Sequence, residues 1–244
     1  MKSPIQGTSI LLHGPKKVGK TSLAADFPKP VLFIATEPGH RYISKQKGVH
    51  IFKVYTEKDW PNFRAFVRDK LEILKPKTIV VDTTNTFYQI CSTYVCRREG
   101  KEYPTEIGAR GLGWDKVRRE LLESLNELAM VSEKLNATQI FICHTRVEEI
   151  EYRTITLKRQ TYILQLQPDD VVAANVDNIW HLGFAVDDEG EEEISNYRTL
   201  WLKGNAHVMA ESRDPTLQVG RIRRLRPETA YNQIVKAFTY RRKK

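Results

Sequence analysis

Short apolar, β-branched runs recur along the chain and alternate with segments whose apolar residues return every three or four positions. The runs predict strands at Ser9–His13, Val31–Ala35, His50–Val54, Thr78–Asp82, Gln139–Cys143, Asn178–Phe184 and Tyr197–Leu202. Several are continuously apolar rather than alternating, as expected of a mostly parallel sheet covered on both faces. Between them, Thr56-x-x-Asp59 has the form of a capping box. It opens a helix with Trp60, Phe63, Val67, Leu71 and Leu74 on its apolar face. A second helix is predicted over Asp115–Leu135, striped by Val117, Leu121, Leu125, Leu128 and Leu135. The pattern predicts one α/β domain with a late antiparallel extension.

Composition narrows the class. Hydrophobic residues at 41% and charged ones at 28% describe a globular protein, and 244 residues suffice to bury a sheet on both faces. No apolar run approaches the roughly 20 residues of a membrane helix, and Met1-Lys-Ser-Pro lacks the apolar core of a signal peptide. A cytoplasmic protein without a membrane partner is expected. Three cysteines without framework spacing fit a reducing compartment. Cys91-x₄-Cys96 with Cys143-His144 makes a poorly spaced zinc set, and buried thiols are the simpler reading. Net charge is +9 and the excess is clustered. Basic residues gather at Arg97–Arg98–Lys101, Lys158–Arg159, Arg221–Arg223–Arg224–Arg226 and the Arg241–Lys244 tail, partly offset by an acidic patch at Asp187–Glu193. Such clusters favour a polyanion, with a solvated basic surface as the alternative.

The chemistry concentrates first at Gly14-Pro15-Lys16-Lys17-Val18-Gly19-Lys20-Thr21, a complete G-x-x-x-x-G-K-[ST] loop followed by Ser22. It follows an apolar strand and opens a helix-prone stretch, the context that separates a working phosphate loop from a glycine turn with solvated lysines. Backbone N–H groups of such a loop wrap phosphates. Lys20 is expected to reach the β- and γ-phosphates, and the Thr21 hydroxyl to complete a Mg²⁺ shell. A nucleoside triphosphate is the expected ligand.

Three further strand ends carry polar residues. Thr78-Ile-Val-Val-Asp82 ends in an acid suited to hold Mg²⁺ through water, or else to cap the next turn. Val31-Leu-Phe-Ile-Ala-Thr-Glu37 ends in a carboxylate suited to orient and deprotonate a water, with an exposed loop acid as the alternative. Gln139-Ile-Phe-Ile-Cys-His144 ends in a hydrogen-bonding residue suited to sense the γ-phosphate, or else a satisfied buried histidine.

From about Ser9 to Leu202, this order of parts resembles the RecA-like ATPases, and more narrowly the short bacteriophage type that accompanies single-strand annealing and recombination. The resemblance implies a RecA-like core, a mainly parallel central sheet flanked by helices, over residues 1–220. A basic tail at 221–244 follows. RecA itself ends its sensor strand in Gln, where this chain has His144. The resemblance places DNA loops at about Arg97–Gly113, with Arg97, Arg98, Lys101 and Arg110, and at about Thr145–Gln167, with Arg146, Arg153, Lys158 and Arg159. Basic residues interleaved with tyrosines suit single strands, because cations track phosphate and rings stack on bases. A plain β-hairpin is the alternative for Glu151–Gln167. The resemblance also implies a cation supplied to the γ-phosphate by a neighbouring subunit, with Lys203 and Arg213 as candidates. The implied function is ATP hydrolysis with Mg²⁺ by a homo-oligomer on single-stranded DNA, in a bacterial or phage-infected cell, with a single-stranded-DNA-binding protein as a possible partner. The competing readings are a P-loop nucleotide kinase, whose lid would be Arg97–Arg110, and a protein that keeps nucleotide only as a structural ligand. A ParA-like switch needs a lysine where Pro15 stands.

Overall fold

A strand whose every side chain is apolar needs cover on both faces, and helices provide it. The structure, a computed structural model, describes residues 3–152, 155–162, 171–184, 197–226 and 229–239. Along the chain run β1 (Ser9–Gly14), α1 (Lys20–Ala25), β2 (Val31–Ala35), β3 (Val49–Lys53), α2 (Trp60–Asp69), α3 (Leu71–Leu74), β4 (Thr78–Asp82) and α4 (Thr84–Arg98). Then follow α5 (Leu112–Leu135), β5 (Thr138–Tyr152), β6 (Ile155–Tyr162), β7 (Asn178–Phe184), β8 (Arg198–Trp201), β9 (Glu211–Ser212), β10 (Arg221–Ile222) and α6 (Ala230–Thr239). The fold is mixed α/β, a mostly parallel sheet flanked by helices with antiparallel strands toward the C-terminal end. It resolves into two compact units, residues 28–139 and residues 1–27 with 140–244.

In the contiguous unit, β2 lies between β4 and β3 and pairs with both in parallel. All five β2 side chains are buried. The predicted capping box forms: Asp59 Oδ2 accepts from the backbone N–H groups of Tyr55 and Thr56, both at 2.9 Å. The helix it opens breaks at Lys70 and resumes as α3, so Trp60, Phe63, Val67 and Leu71 are buried while Leu74 is only half covered. Trp60, Phe63 and Phe87 form an aromatic cluster with ring centroids 4.8–5.5 Å apart. Beside it, Glu120 on α5 is buried with its charge met on three sides. It accepts from Trp60 Nε1 at 2.9 Å, Arg64 Nη1 at 2.8 Å and Arg98 Nη1 at 3.0 Å. Arg64 also forks onto Glu127 at 2.7 and 2.9 Å. That pairing, more than the neighbouring charge, holds the Glu127 carboxyl below the usual carboxylate range.

In the other unit, β1 pairs in parallel with β7, His13 opposite His181. The strand order is β10-β8-β7-β1-β5. β8 and β9 run antiparallel to β7, and β10 antiparallel to β8. The strand expected to stop at Cys143 continues to Tyr152 and turns back as β6, pairing Thr145 with Tyr162 through Tyr152 with Ile155. The hairpin alternative is therefore what the second basic segment forms over its described residues. In the expected tail, β10 and α6 are ordered. Tyr231 N donates to Asp26 Oδ2 at 3.0 Å, and its ring meets Phe27 edge-on at 5.2 Å. α6 thus covers the chain just beyond α1.

Candidate nucleotide-binding site

The phosphate loop leaves β1 at Gly14 and closes into α1 at Lys20. Its two glycines are required for different reasons. A β-carbon on Gly14 would overlap the Leu182 carbonyl oxygen of β7. Gly19 sits at φ 100°, in the left-handed region, where a side chain strains the backbone. Val18 is buried and anchors the loop, while Pro15, Lys16 and Lys17 are exposed. Lys20 turns its ammonium back into the loop. It is buried and donates to the carbonyls of Gly14 at 2.6 Å and Pro15 at 2.8 Å. Thr21 is half-buried and Ser22 exposed at the start of α1.

Beneath the loop lies a buried histidine pair. His13 Nε2 meets the Met209 carbonyl at 2.7 Å, which fixes the proton on Nε2 and makes Nδ1 the acceptor for the Thr145 hydroxyl at 3.0 Å. His181 Nδ1 lies 3.3 Å from His13 Nδ1. Burial lowers the His13 pKa to about 4, the Met209 bond opposing and the Lys20 charge assisting. Burial also drives His181 well down, helped by the charges of His13 and Lys20. With both pKa values lowered, the pair is neutral at pH 7 and adds no charge to that of Lys20.

The contiguous unit carries the carboxylates. β2 ends at Ala35, and Thr36 ties the next turn to the end of β4: its hydroxyl donates to the Thr83 carbonyl at 3.1 Å and accepts from Thr83 N at 2.8 Å. Glu37 is half-buried, and its Oε1 accepts from the Thr86 hydroxyl at 2.6 Å and the Thr83 hydroxyl at 2.9 Å. Both threonines belong to the N-terminal turn of α4, where Thr83 is the N-cap. Two hydroxyl donors on Oε1 hold that oxygen of the carboxyl against the start of α4. Asp82 is half-buried at the end of β4, and the Asp82–Thr83 peptide is cis. Sequence reasoning missed Thr83 and Thr86; the Thr83-Thr84-Asn85-Thr86 run directly after the β4 acid was the available signal.

The remaining predicted residues scatter. His144 is half-buried on β5. Lys203 is exposed beyond β8, its backbone N–H bonded to Gly220 O at 2.8 Å. Arg213 is exposed and donates to the Ala174 carbonyl at 2.9 Å. Arg97 and Arg98 form the last turn of α4 rather than a loop, and Arg98 is engaged with Glu120. Lys101 and Arg110 are exposed. On the hairpin, Arg146 and Lys158 are exposed and Arg159 donates to the Met209 thioether at 2.9 Å. Arg153 lies outside the described residues. Cys91, Cys96 and Cys143 are buried thiols, and burial pushes Cys91 strongly up.

A glycine loop with a lysine seated on its own carbonyls, entered from a buried strand of a mostly parallel sheet, is the arrangement of a P-loop nucleotide-binding site. The chain belongs to the AAA domain family, whose model matches residues 6–214. Among solved structures it is similar to the RadB recombinase, at 15% identity and a TM-score of 0.50, over 92% of this chain and 90% of that one. It is also similar to a KaiC-like protein from the hyperthermophilic archaeon Pyrococcus horikoshii OT3, at 15% identity and a TM-score of 0.45, over 80% and 78% of the two chains. No curated protein matches the chain. Among the described residues, no helix is long and apolar enough to cross a membrane.

Proposed function

We propose that this protein is an ATP-hydrolysing, single-stranded-DNA-binding ATPase of the bacteriophage recombination or annealing type, working as a homo-oligomer. The observation that carries it is Lys20, buried and seated on the Gly14 and Pro15 carbonyls inside a loop that admits only glycine at Gly14 and Gly19. The loop Gly14–Ser22 binds the triphosphate. Thr21 and Asp82 supply a hydroxyl and a carboxylate to Mg²⁺, the hard-oxygen set that ion prefers; when bound, it neutralises charge on the phosphates. Glu37, held by Thr83 and Thr86, is the base that activates water. His144 reports nucleotide state, and Lys203 or Arg213 acts on a neighbouring subunit's nucleotide. The ATPase domain is taken as residues 1–220.

The DNA reading is supported by the likeness to a recombinase fold, the net charge of +9 and the exposed cations Arg97, Lys101, Arg110, Arg146 and Lys158. Three buried thiols support work in a reducing cytoplasm. Steady-state ATP hydrolysis with and without single-stranded DNA, across protein concentrations, tests the whole. Stimulation by DNA that rises more than linearly with protein is expected. Phosphorylation of an added nucleotide acceptor with no DNA response would instead make the chain a kinase.

A further inference from the structure

Both ends of the phosphate loop rest on the β7–β8 pair. Gly14 lies against the Leu182 carbonyl of β7, and Gly19 lies against the side chain of Arg198, the first residue of β8, which pairs with Phe184 at the end of β7. Nη1 of that guanidinium stands 2.7 Å from where a β-carbon on Gly19 would sit, with Cζ at 3.2 Å and Nε at 3.7 Å. The guanidinium therefore lies against Gly19, the residue that immediately precedes Lys20, with Nη1 nearest. Arg198 is half-buried, and among the described residues no carboxylate pairs with it. Its backbone is fixed on both sides, by the pairing to Phe184 and by Leu225 N donating to its carbonyl at 2.8 Å. The backbone that carries this cation is thus held by the sheet.

A partly desolvated guanidinium is stabilised by an oxyanion, and its donor fork matches phosphate better than an ammonium does. Among the described residues, the feature beside it made for an oxyanion is the phosphate loop itself. We propose that Arg198 is a second phosphate-binding cation of the nucleotide site, supplied in cis and complementing Lys20 from the β8 side. This rests on the phosphate-loop reading above. It also gives a reason for Gly19 beyond its φ: a side chain there would displace the guanidinium.

The test is equilibrium binding of ATP and ADP, with Mg²⁺, to the purified full chain and to Arg198→Ala, Arg198→Lys and Lys20→Ala variants. Each variant is also melted without nucleotide. Arg198→Ala is expected to bind ATP at least about tenfold more weakly, the scale of one charged hydrogen bond. Arg198→Lys should fall between it and the parent, because charge remains and the fork is gone. The nucleotide-free melting temperatures should match the parent. Weakening of ATP and ADP alike places the guanidinium on phosphates common to both, and weakening of ATP alone places it on the γ-phosphate. A parent that binds ATP while both Arg198 variants bind it equally well would overturn the inference and leave the phosphate-loop reading intact. If the parent and Lys20→Ala bound ATP equally, or not at all, the loop reading would fall and this inference with it.

Discussion

At the scale of single residues, the site is a set of side chains held by their neighbours rather than by their own chemistry. Glu37 shows this best, because both of its described hydrogen bonds come from threonines on another element. Glu37→Gln should retain ATP binding and lose at least about a hundredfold in turnover, the range of a general base. Thr86→Val, nearly the same shape without the hydroxyl, should lower kcat about tenfold with KM little changed, as expected when orientation alone is loosened. Single-turnover hydrolysis separates the two effects, and a Thr86→Val enzyme at full rate would remove that hydroxyl from the mechanism. The phosphate loop was legible in the sequence because its residues are contiguous and their spacing is the chemistry. Arg198 was not, because a lone arginine has no spacing to read, and Thr86 was not, because the threonine run after the β4 acid does not say which hydroxyls meet Glu37. Their roles depend on how α4 returns to β2 and on the β7–β8 register.

At the scale of elements, β2, β4 and β7 were predicted to the residue; β2 and β4 are continuous apolar runs bounded by polar residues, and β7 is rich in strand-forming residues. α4 was invisible. Its core face, Phe87, Ile90, Cys91 and Val95, is diluted by Thr84, Asn85, Thr86, Ser92 and Thr93, residues with low helix propensity, and packing overrides them. That helix brings Arg98, itself exposed, to Glu120, so a cation read as a DNA ligand also pairs with a buried carboxylate. Glu120→Ala should destabilise the fold by about 3 kcal/mol, because Arg64 keeps its charge in a site with one acceptor fewer. Urea unfolding measures this, and a loss below about 1 kcal/mol, the worth of a surface pair, would show the network to be solvent-relaxed. The His13–His181 pair gives stability a pH dependence. With the His13 pKa lowered from 6.5 to about 4, the unfolded chain binds more protons between those values. Stability is thus full above about pH 6.5 and falls, by on the order of 3 kcal/mol, as pH drops toward 4. Melting temperature against pH should show this slope, and His13→Asn should flatten it.

At the scale of the molecule, the DNA partner proposed above can be tested through the clustered charge. Neutralising Arg97 and Lys101 together should weaken binding to single-stranded DNA. The dependence of log K on log salt should fall by about one for each phosphate that these cations no longer neutralise. An unchanged slope would show that this end of α4 does not touch the strand. What the sequence could not show at this scale is that the phosphate loop belongs with the distant half of the chain. Strand periodicity says that β1 is buried, not that its partner lies some 170 residues away at β7. That separation has a consequence for how the protein is made. Residues 28–139 form a unit that is contiguous in sequence, so all of its internal contacts are available once that stretch has been synthesised. The first 27 residues emerge earlier but must wait for β7, β8 and then α6, because Gly14 rests on Leu182, Gly19 on Arg198 and Phe27 on Tyr231. The strand and loop at residues 9–21 can therefore take their shape only after β7 and β8, more than 150 residues further on, have been synthesised.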